Sequence, residues 1–373
     1  MIPFNKPVHL GTEITAMAEA IERNGHVAGG GPFGKRSEAR LEQMLGQRTL
    51  LVTSATHALE MAALLLDIQP GDEFIVPSFT FVSTANAFCL RGAKPVFADV
   101  DANGNLDVSE VERLLGPRTK AVVPVHYAGN SCDMQALGEV SGKVPVVEDA
   151  AQALGSSFDG RPLGTFGACG AFSFHETKNI GCGEGGALSV RDAALIDRAE
   201  YLRDKGTNRR KFQEGIVDKY TWVDVGSSYV LSDLNAAYLS TQLDEFTRIQ
   251  ARRKVLYSRY LAELSAPVER AGAYIIQGSA RCVGNQHLFA IVFKAPEQRG
   301  RFIAHMREHK IVTPFHYIAL HQAPMGKGFH DGRGLPHSER LTTSLVRLPL
   351  FFNMTDAECD TVIARTREFL DGI

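Results

Sequence analysis

Lys178 lies in residues 172–179 (FSFHETKN), between a strand-like apolar run and the glycine-rich residues 181–186. A lysine amine that is held near a carbonyl group and partly withdrawn from water can condense with that carbonyl. Most lysines are solvated surface charges, so the residue type alone does not indicate catalysis. It is the motifs upstream of Lys178 that indicate a catalytic role for this lysine.

An acidic residue, Asp149, follows an apolar run at residues 144–148 that is typical of a buried strand. A carboxylate at the end of such a strand can keep a pyridine nitrogen protonated, and the protonated ring is the electron sink of pyridoxal phosphate (PLP) chemistry. Residues 53–56 (TSAT) join another apolar run to a helical pattern. Small hydroxyl side chains and free N–H groups at a helix start can bind a phosphate.

With these motifs, the chain resembles the fold-type I PLP enzymes of the DegT/DnrJ/EryC/StrS family, which aminate nucleotide-linked keto sugars. The resemblance extends over nearly the whole chain and is carried by residues 77–84 (PSFTFVST), 124–129 (PVHYAG), the Lys178 segment and residues 205–209 (KGTNR). Within that family it is most similar to the enzymes that form dTDP-4-amino-4,6-dideoxygalactose. The resemblance implies PLP as cofactor, L-glutamate as amino donor, a nucleotide-sugar substrate and a homodimer with shared active sites.

The resemblance also implies a role for each matching residue. Lys178 forms the covalent link to PLP and then carries the proton between the substrate and the cofactor. Asp149 pairs with the pyridinium nitrogen. Phe81 and Ala151 are implied as contacts of the two faces of the cofactor ring, and Gln152 as a contact of its phenolic oxygen. The phosphate contacts are implied for Ser54, Ala55, Thr56 and Ser173.

The substrate side of the site is implied for residues 315–321 (FHYIALH), with His316, Tyr317 and above all His321 near the substrate. The chain departs from the family at one position. Related enzymes often place an asparagine of the partner subunit on the phosphate, and Val230 stands at that place here. Ser228 is the candidate substitute. No metal site is expected, because a third ligand for the two histidines is missing.

Apolar runs and helical stretches alternate between residues 48 and 190, which indicates an α/β fold with a mostly parallel sheet covered by helices. The resemblance specifies this fold as the PLP-dependent transferase fold of type I. We expect a large PLP-binding domain at residues 1–245. A long amphipathic helical region over residues 239–264 leads to a smaller α+β domain at residues 246–373.

Composition excludes several other classes of protein. A formal net charge of −2 over 373 residues gives no reason to expect nucleic acid or an anionic membrane as partner. The first twenty residues carry no apolar signal segment and no run is long enough to span a bilayer, so a cytoplasmic protein is expected. The six cysteines lack CxxC spacing and indicate neither disulfides nor zinc.

Two short motifs are decoys. Residues 29–34 (GGGPFG) satisfy the dinucleotide pattern, but a helix is expected before them instead of a strand. Residues 99–110 match a calcium loop, but the proline-bearing run before Asp99 is strand-like where an EF-hand needs a helix. We therefore interpret the first as a flexible active-site loop and the second as an acidic surface turn.

The sequence leaves alternatives open. The first is amination at C4 of a dTDP-4-keto-6-deoxyhexose, with the product configuration unspecified. The second is amination at C3 of a dTDP-3-keto sugar. Dehydration by a related enzyme is disfavoured, since those relatives replace the lysine by histidine and Lys178 is present. A third, from another class, is a non-catalytic binding or regulatory protein on the same scaffold.

Overall fold

The computed structural model describes all residues from 1 to 373. Its helices are α1 Glu13–Glu22, α2 Pro32–Leu45, α3 Ala55–Leu65, α4 Val82–Cys89, α5 Val108–Leu114, α6 Met134–Ser141, α7 Ala193–Arg203, α8 Arg209–Gln213, α9 Asp233–Asp244, α10 Phe246–Arg270, α11 Pro296–Glu308, α12 Pro336–Ser344 and α13 Asp356–Leu370. Its strands are β1 Arg48–Val52, β2 Glu73–Pro77, β3 Lys94–Ala98, β4 Thr119–Val122, β5 Val147–Asp149, β6 Ser157–Phe158, β7 Arg161–Pro162, β8 Cys169–Ser173, β9 Gly186–Val190, β10 Tyr274–Ile275, β11 Cys282–Val283, β12 Phe289–Val292 and β13 Leu345–Leu348.

Seven of these strands form the central sheet. Strands β1, β9, β8 and β5 are hydrogen-bonded in that order, as are β3, β2 and β4. Parallel bridges from Val122 to Val146 and from Val125 to Asp149 join the two groups. Strand β9 runs antiparallel to both of its neighbours, β1 and β8. Strand β5 is parallel to β8, and the three strands β3, β2 and β4 are parallel to one another. The predicted α/β fold with a mostly parallel sheet is confirmed.

The predicted strands differ from the observed ones mainly at two prolines. The apolar runs at residues 120–125 (KAVVPV) and 144–148 (VPVVE) predict whole strands, but β4 ends at Val122 and β5 begins at Val147. Pro124 and Pro145 lie in the missing parts, and a proline cannot donate a hydrogen bond to a sheet. Their carbonyls still accept, from Asp149 and Val122 respectively, at 2.9 and 3.0 Å. The chain therefore stays extended there.

The C-terminal region is built from α10 to α13 and the antiparallel sheet β10–β12–β13. One apolar core cluster contains only residues between Leu256 and Leu370, while the two larger clusters centre on the main sheet. The predicted long helical region is two helices, because α9 ends at Asp244 and α10 begins at Phe246. The division into residues 1–245 and 246–373 stays a prediction.

The contexts of the two decoy motifs agree with their rejection. Helix α1 precedes residues 29–34 and α2 begins at Pro32, so no strand enters that turn. Strand β3 precedes Asp99, and the Asp101 carboxylate accepts hydrogen bonds from the N–H groups of Asn103 and Asn105 in a local turn. Among the helices, none has both the length and the apolar character that crossing a membrane requires.

Candidate active site

A cavity of about 630 Å³ lies at the carboxyl edge of the central sheet. Five strands that run in the same direction end there, namely β1, β2, β4, β5 and β8, and the loops that follow them supply most of the lining. In open sheets of this kind, ligands bind at that edge. Eleven of the predicted site residues line the cavity: Ser54, Ala55, Thr56, Phe81, Asp149, Ala151, Gln152, Ser173, Lys178, His316 and Tyr317.

Lys178 lies in a turn after β8, where its N–H donates to the His175 carbonyl at 2.9 Å. Burial lowers the pKa of Lys178 to about 8. The nearby Asp149 carboxylate opposes this shift and the Arg347 guanidinium adds to it. A lysine with a lowered pKa has an appreciable fraction of neutral amine near pH 7–8, and the neutral amine is the nucleophile.

Asp149 ends β5 and is only 6% exposed. One carboxylate oxygen accepts a hydrogen bond from the Thr84 hydroxyl at 2.7 Å, and the other accepts from the Ala151 N–H at 3.1 Å. Thr84 lies one turn after Thr80 and shares a hydroxyl–hydroxyl contact of 2.9 Å with it. The carboxylate is thus held in one orientation at the cavity, next to the lysine.

The start of helix α3 forms another part of the cavity wall. Ser54 caps the helix by accepting a hydrogen bond from the His57 N–H at 3.1 Å. The Thr56 hydroxyl donates to Ser83 at 2.8 Å. The first N–H groups of a helix have no partner within it and carry the positive end of its dipole. Gly186 of β9 lets the helix start approach closely, since a Cβ there would lie 2.3 Å from the Ser54 carbonyl carbon.

Aromatic and polar side chains complete the cavity. Phe81 is 55% exposed and lies at the start of α4. The Gln152 amide accepts from the Ala128 N–H at 2.7 Å and donates to the Tyr317 hydroxyl at 3.0 Å. The rings of His316 and Tyr317 stack with centroids 3.7 Å apart. Burial raises the pKa of Tyr317 and lowers that of His316 well below its usual value, so both are neutral at pH 7.

Two predicted residues do not line the cavity. His321 is 6% exposed, and its Nδ1 shares a hydrogen bond of 2.6 Å with the hydroxyl of Ser78, which also does not line the cavity. Ser228 is exposed, in an extended segment that pairs with Asp204. Their predicted roles stay predictions.

The cavity also contains residues that the sequence did not single out, among them Ser83, His175, Thr177, Glu184 and Phe315. Ser83, like Thr80, belongs to the quoted run of residues 77–84. Its position within the first turn of α4 is the feature that could have identified Ser83 as a cavity residue. His175 and Glu184 come from the turn around Lys178.

The residues present fit PLP. The group has a phosphate, a ring with a basic nitrogen and an aldehyde, and the cavity offers a helix start, a fixed carboxylate and a lysine amine of lowered pKa. When bound, PLP supplies an electron-withdrawing ring that stabilises negative charge on the substrate carbon. Lys178, Asp149 and the start of α3 are the groups of this chain that would hold PLP and move protons.

Comparison with known proteins agrees with this geometry. The model of the DegT/DnrJ/EryC1/StrS aminotransferase family matches residues 8–367. The aminotransferase TlmJ from Streptoalloteichus hindustanus is 32% identical, with a TM-score of 0.91 over 100% of this chain and 99% of that one. Spr1654 from Streptococcus pneumoniae, a proposed sugar aminotransferase solved in its PMP form, is 27% identical with a TM-score of 0.90, and each chain is fully covered. A 3-amino-5-hydroxybenzoic acid synthase is 26% identical, with a TM-score of 0.87 over 99% and 98% of the two chains.

Proposed function

Because the chain belongs to the DegT/DnrJ/EryC1/StrS aminotransferase family and is PLP-dependent, we propose that it transfers the amino group of L-glutamate to a nucleotide-linked keto sugar. The acceptor is C4 of a dTDP-4-keto-6-deoxyhexose and the product is a dTDP-4-amino-4,6-dideoxyhexose. The observation that carries the proposal is the meeting of Lys178, Asp149 and the start of α3 in one cavity.

The division of roles follows from the contacts. Lys178 would be the covalent attachment point for PLP and would afterwards move the proton at the substrate carbon, because about half of its amine is neutral near pH 8. Asp149, whose carboxylate Thr84 and Ala151 keep in place, would hold the ring nitrogen. Ser54, Ala55, Thr56 and Ser173 would hold the phosphate, and Phe81 and Ala151 would contact the ring.

Two features support a sugar as the acceptor. Spr1654, at 27% identity over both whole chains, is a proposed sugar aminotransferase. The runs 77–84 and 124–129, which carry the resemblance to the C4-aminating enzymes, supply Thr80, Phe81, Ser83 and Val125 to the cavity lining. The similarity to a 3-amino-5-hydroxybenzoic acid synthase means that family membership alone does not define the acceptor.

The test is product analysis. Purified enzyme with PLP and L-glutamate is given dTDP-4-keto-6-deoxyglucose, and the product is identified by mass spectrometry and NMR, which also establishes the configuration at C4. The alternative, C3 amination, is tested in parallel with a dTDP-3-keto-6-deoxyhexose. Efficient conversion of the 3-keto sugar alone would overturn the C4 assignment. Failure of glutamate to convert the cofactor in a single turnover would favour the non-catalytic scaffold.

We further propose a homodimer. Residues 212–225 present an exposed apolar group, namely Phe212, Ile216, Tyr220, Trp222 and Val225, with Trp222 78% exposed. An exposed apolar patch of this kind is typical of a protein interface. Ser228 lies just beyond this segment, and we assign to it the phosphate of the partner's site in place of the asparagine missing at Val230.

The dimer is tested by Trp222→Glu, with Val255→Glu as the control, since Val255 is a 50% exposed apolar residue of α10 far along the chain. Light scattering should show Trp222→Glu as a monomer and Val255→Glu as a dimer. A titration with PLP should show weakened binding to Trp222→Glu. A monomeric wild-type protein with full PLP affinity would contradict the proposal.

A further inference from the structure

Asn179, the residue after Lys178, has all the hydrogen-bonding atoms of its side chain engaged. Its amide nitrogen donates to the Asn285 carbonyl at 2.9 Å and to the Gln250 side chain at 3.0 Å. Its amide oxygen bonds Nδ1 of His287 at 2.9 Å. Asn179 is buried. Gln250 lies in α10, and Asn285 and His287 lie between β11 and β12. All three partners are at least 71 residues away along the chain.

These contacts fix the protonation of His287. A backbone carbonyl can only accept, so the Asn179 nitrogen must face Asn285 and the oxygen must face His287. Nδ1 of His287 therefore carries the proton and donates it. Burial holds the pKa of His287 well below its usual value, and the charges of Lys178, Arg253 and Arg347 act in the same direction. His287 is therefore a neutral donor at pH 7.

The segment 285–287 also holds the opposite side of the site. The Asn285 side chain donates to the carbonyls of Gln152 and Leu154 at 2.9 and 3.0 Å. The backbone N–H of Asn285 donates to the Ser156 hydroxyl at 2.9 Å. One short segment therefore bonds both to the turn after Asp149 and to the residue after Lys178. We call residues 285–287 the strap.

A buried cation holds the strap in shape. Arg253 of α10 is 3% exposed and has no carboxylate partner. Its guanidinium donates to the carbonyls of Gln286, His287 and Leu350 at 3.1, 2.5 and 3.1 Å. Gln286 has a φ of 51°, in the left-handed region that a non-glycine residue adopts only when its surroundings enforce it. The strap is therefore a rigid support anchored on α10.

We propose that Asn179 is a positioning residue. Through its hydrogen bonds to the strap, including His287, it holds the Lys178 amine at the cavity wall facing Asp149. The inference rests on the proposed function, since it concerns the same lysine. Without the three bonds, the turn 175–180 loses its contacts with the strap and with Gln250, and the amine gains access to water. The titratable groups that face Lys178 are Asp149, Arg347, His287 and His316.

The test measures Lys178 in the cofactor-free enzyme, so it does not depend on turnover. The pH dependence of Lys178 reductive methylation is followed by peptide mass spectrometry, together with the dissociation constant of PLP. In Asn179→Ala we expect the titration midpoint to rise by about one unit, towards that of a solvated lysine, because the amine is no longer desolvated. We expect PLP to bind roughly tenfold more weakly, because the amine is no longer oriented. Asn353→Ala, at a surface asparagine, should change neither value.

A pair at His287 gives an independent test should Asn179→Ala fold poorly. His287→Asn keeps a donor near the place of Nδ1 and should retain the wild-type midpoint, whereas His287→Leu removes the donor and should shift it as Asn179→Ala does. An unchanged Lys178 midpoint in folded Asn179→Ala or in His287→Leu would overturn the proposal. If instead the midpoints shift as expected while wild type fails to aminate any keto sugar, the proposed function fails and the positioning role stands.

Discussion

The Thr84 hydroxyl donates to the Asp149 carboxylate across 2.7 Å, from the first turn of helix α4 to the end of strand β5. Both side chains are buried. A hydrogen bond to an ionised acceptor is stronger than one between neutral groups, and it restricts the acceptor to one rotamer. Thr84 therefore aligns the carboxylate to which we assign the ring nitrogen of PLP.

Asp149→Asn keeps the shape of the side chain and removes its charge. PLP should still bind, while its conversion by L-glutamate should slow by about a hundredfold or more, equivalent to roughly 3 kcal/mol of barrier, as is usual for a preorganised active-site charge. Stopped-flow absorbance in a single turnover measures this rate. Asp360→Asn, at an exposed carboxylate of α13, is the control and should react as wild type does. A wild-type rate in Asp149→Asn would refute the role given to Asp149.

Lys178 should be the attachment point of the cofactor. Purified enzyme should absorb visible light when loaded with PLP, and borohydride should then attach the cofactor to Lys178 irreversibly, because its amine has a lowered pKa and lines the cavity. Peptide mapping locates the modified lysine. Modification instead of Lys205, in the loop after α7, or of Lys211, in α8, would place the chemistry elsewhere.

Gly186 should control the phosphate end of the site. In Gly186→Ala the new methyl group would lie 2.5 Å from the Ala55 nitrogen and 2.3 Å from the Ser54 carbonyl carbon, so the start of α3 must move. We expect PLP to bind at least tenfold more weakly, because the helix N–H groups lose their alignment on the phosphate. Fluorescence titration with PLP measures this change. Gly138→Ala in α6, where a methyl group meets nothing, should bind PLP normally.

The residues at strand ends could be predicted from the sequence. An apolar run followed by a polar residue indicates the carboxyl end of a buried strand, and parallel strands bring such ends to one edge. This pattern predicts Asp149 and residues 54–56 at strand ends, and the cavity brings them together. The motif resemblance supplied the rest, down to Phe81 and Gln152.

The contacts between distant segments could not be predicted. Thr84 meets Asp149 across 65 residues, and Asn179 meets His287 across 108. No local pattern specifies such pairs, since they depend on how the sheet and the C-terminal region pack. The same reason explains His321. The resemblance implies a place near the substrate for His321, which stays a prediction. Its contact with Ser78 across 243 residues, outside the cavity lining, has no local signal in the sequence.

The lowered pKa of Lys178 also predicts a change in stability. Burial disfavours the charged amine in the folded protein, where its pKa is about 8 against 10.5 for a solvated lysine. Below pH 8 the amine is protonated in both the folded and the unfolded chain, so the folded chain is destabilised in full. Between pH 8 and 10.5 the unfolded chain binds more protons, and stability rises with pH until the penalty is gone.

Lys178→Met removes the charge and keeps the apolar stem. Cofactor-free Lys178→Met should therefore be more stable than cofactor-free wild type by about 1–2 kcal/mol at pH 7, a value reduced for the partial access of the amine to water. The difference should shrink as pH rises from 8 towards 10.5. Urea unfolding at a series of pH values measures it, with Lys254→Met, on an exposed part of α10, as the control. Equal stabilities of wild type and Lys178→Met at pH 7 would show that Lys178 is solvated, and would remove the basis for its reactivity.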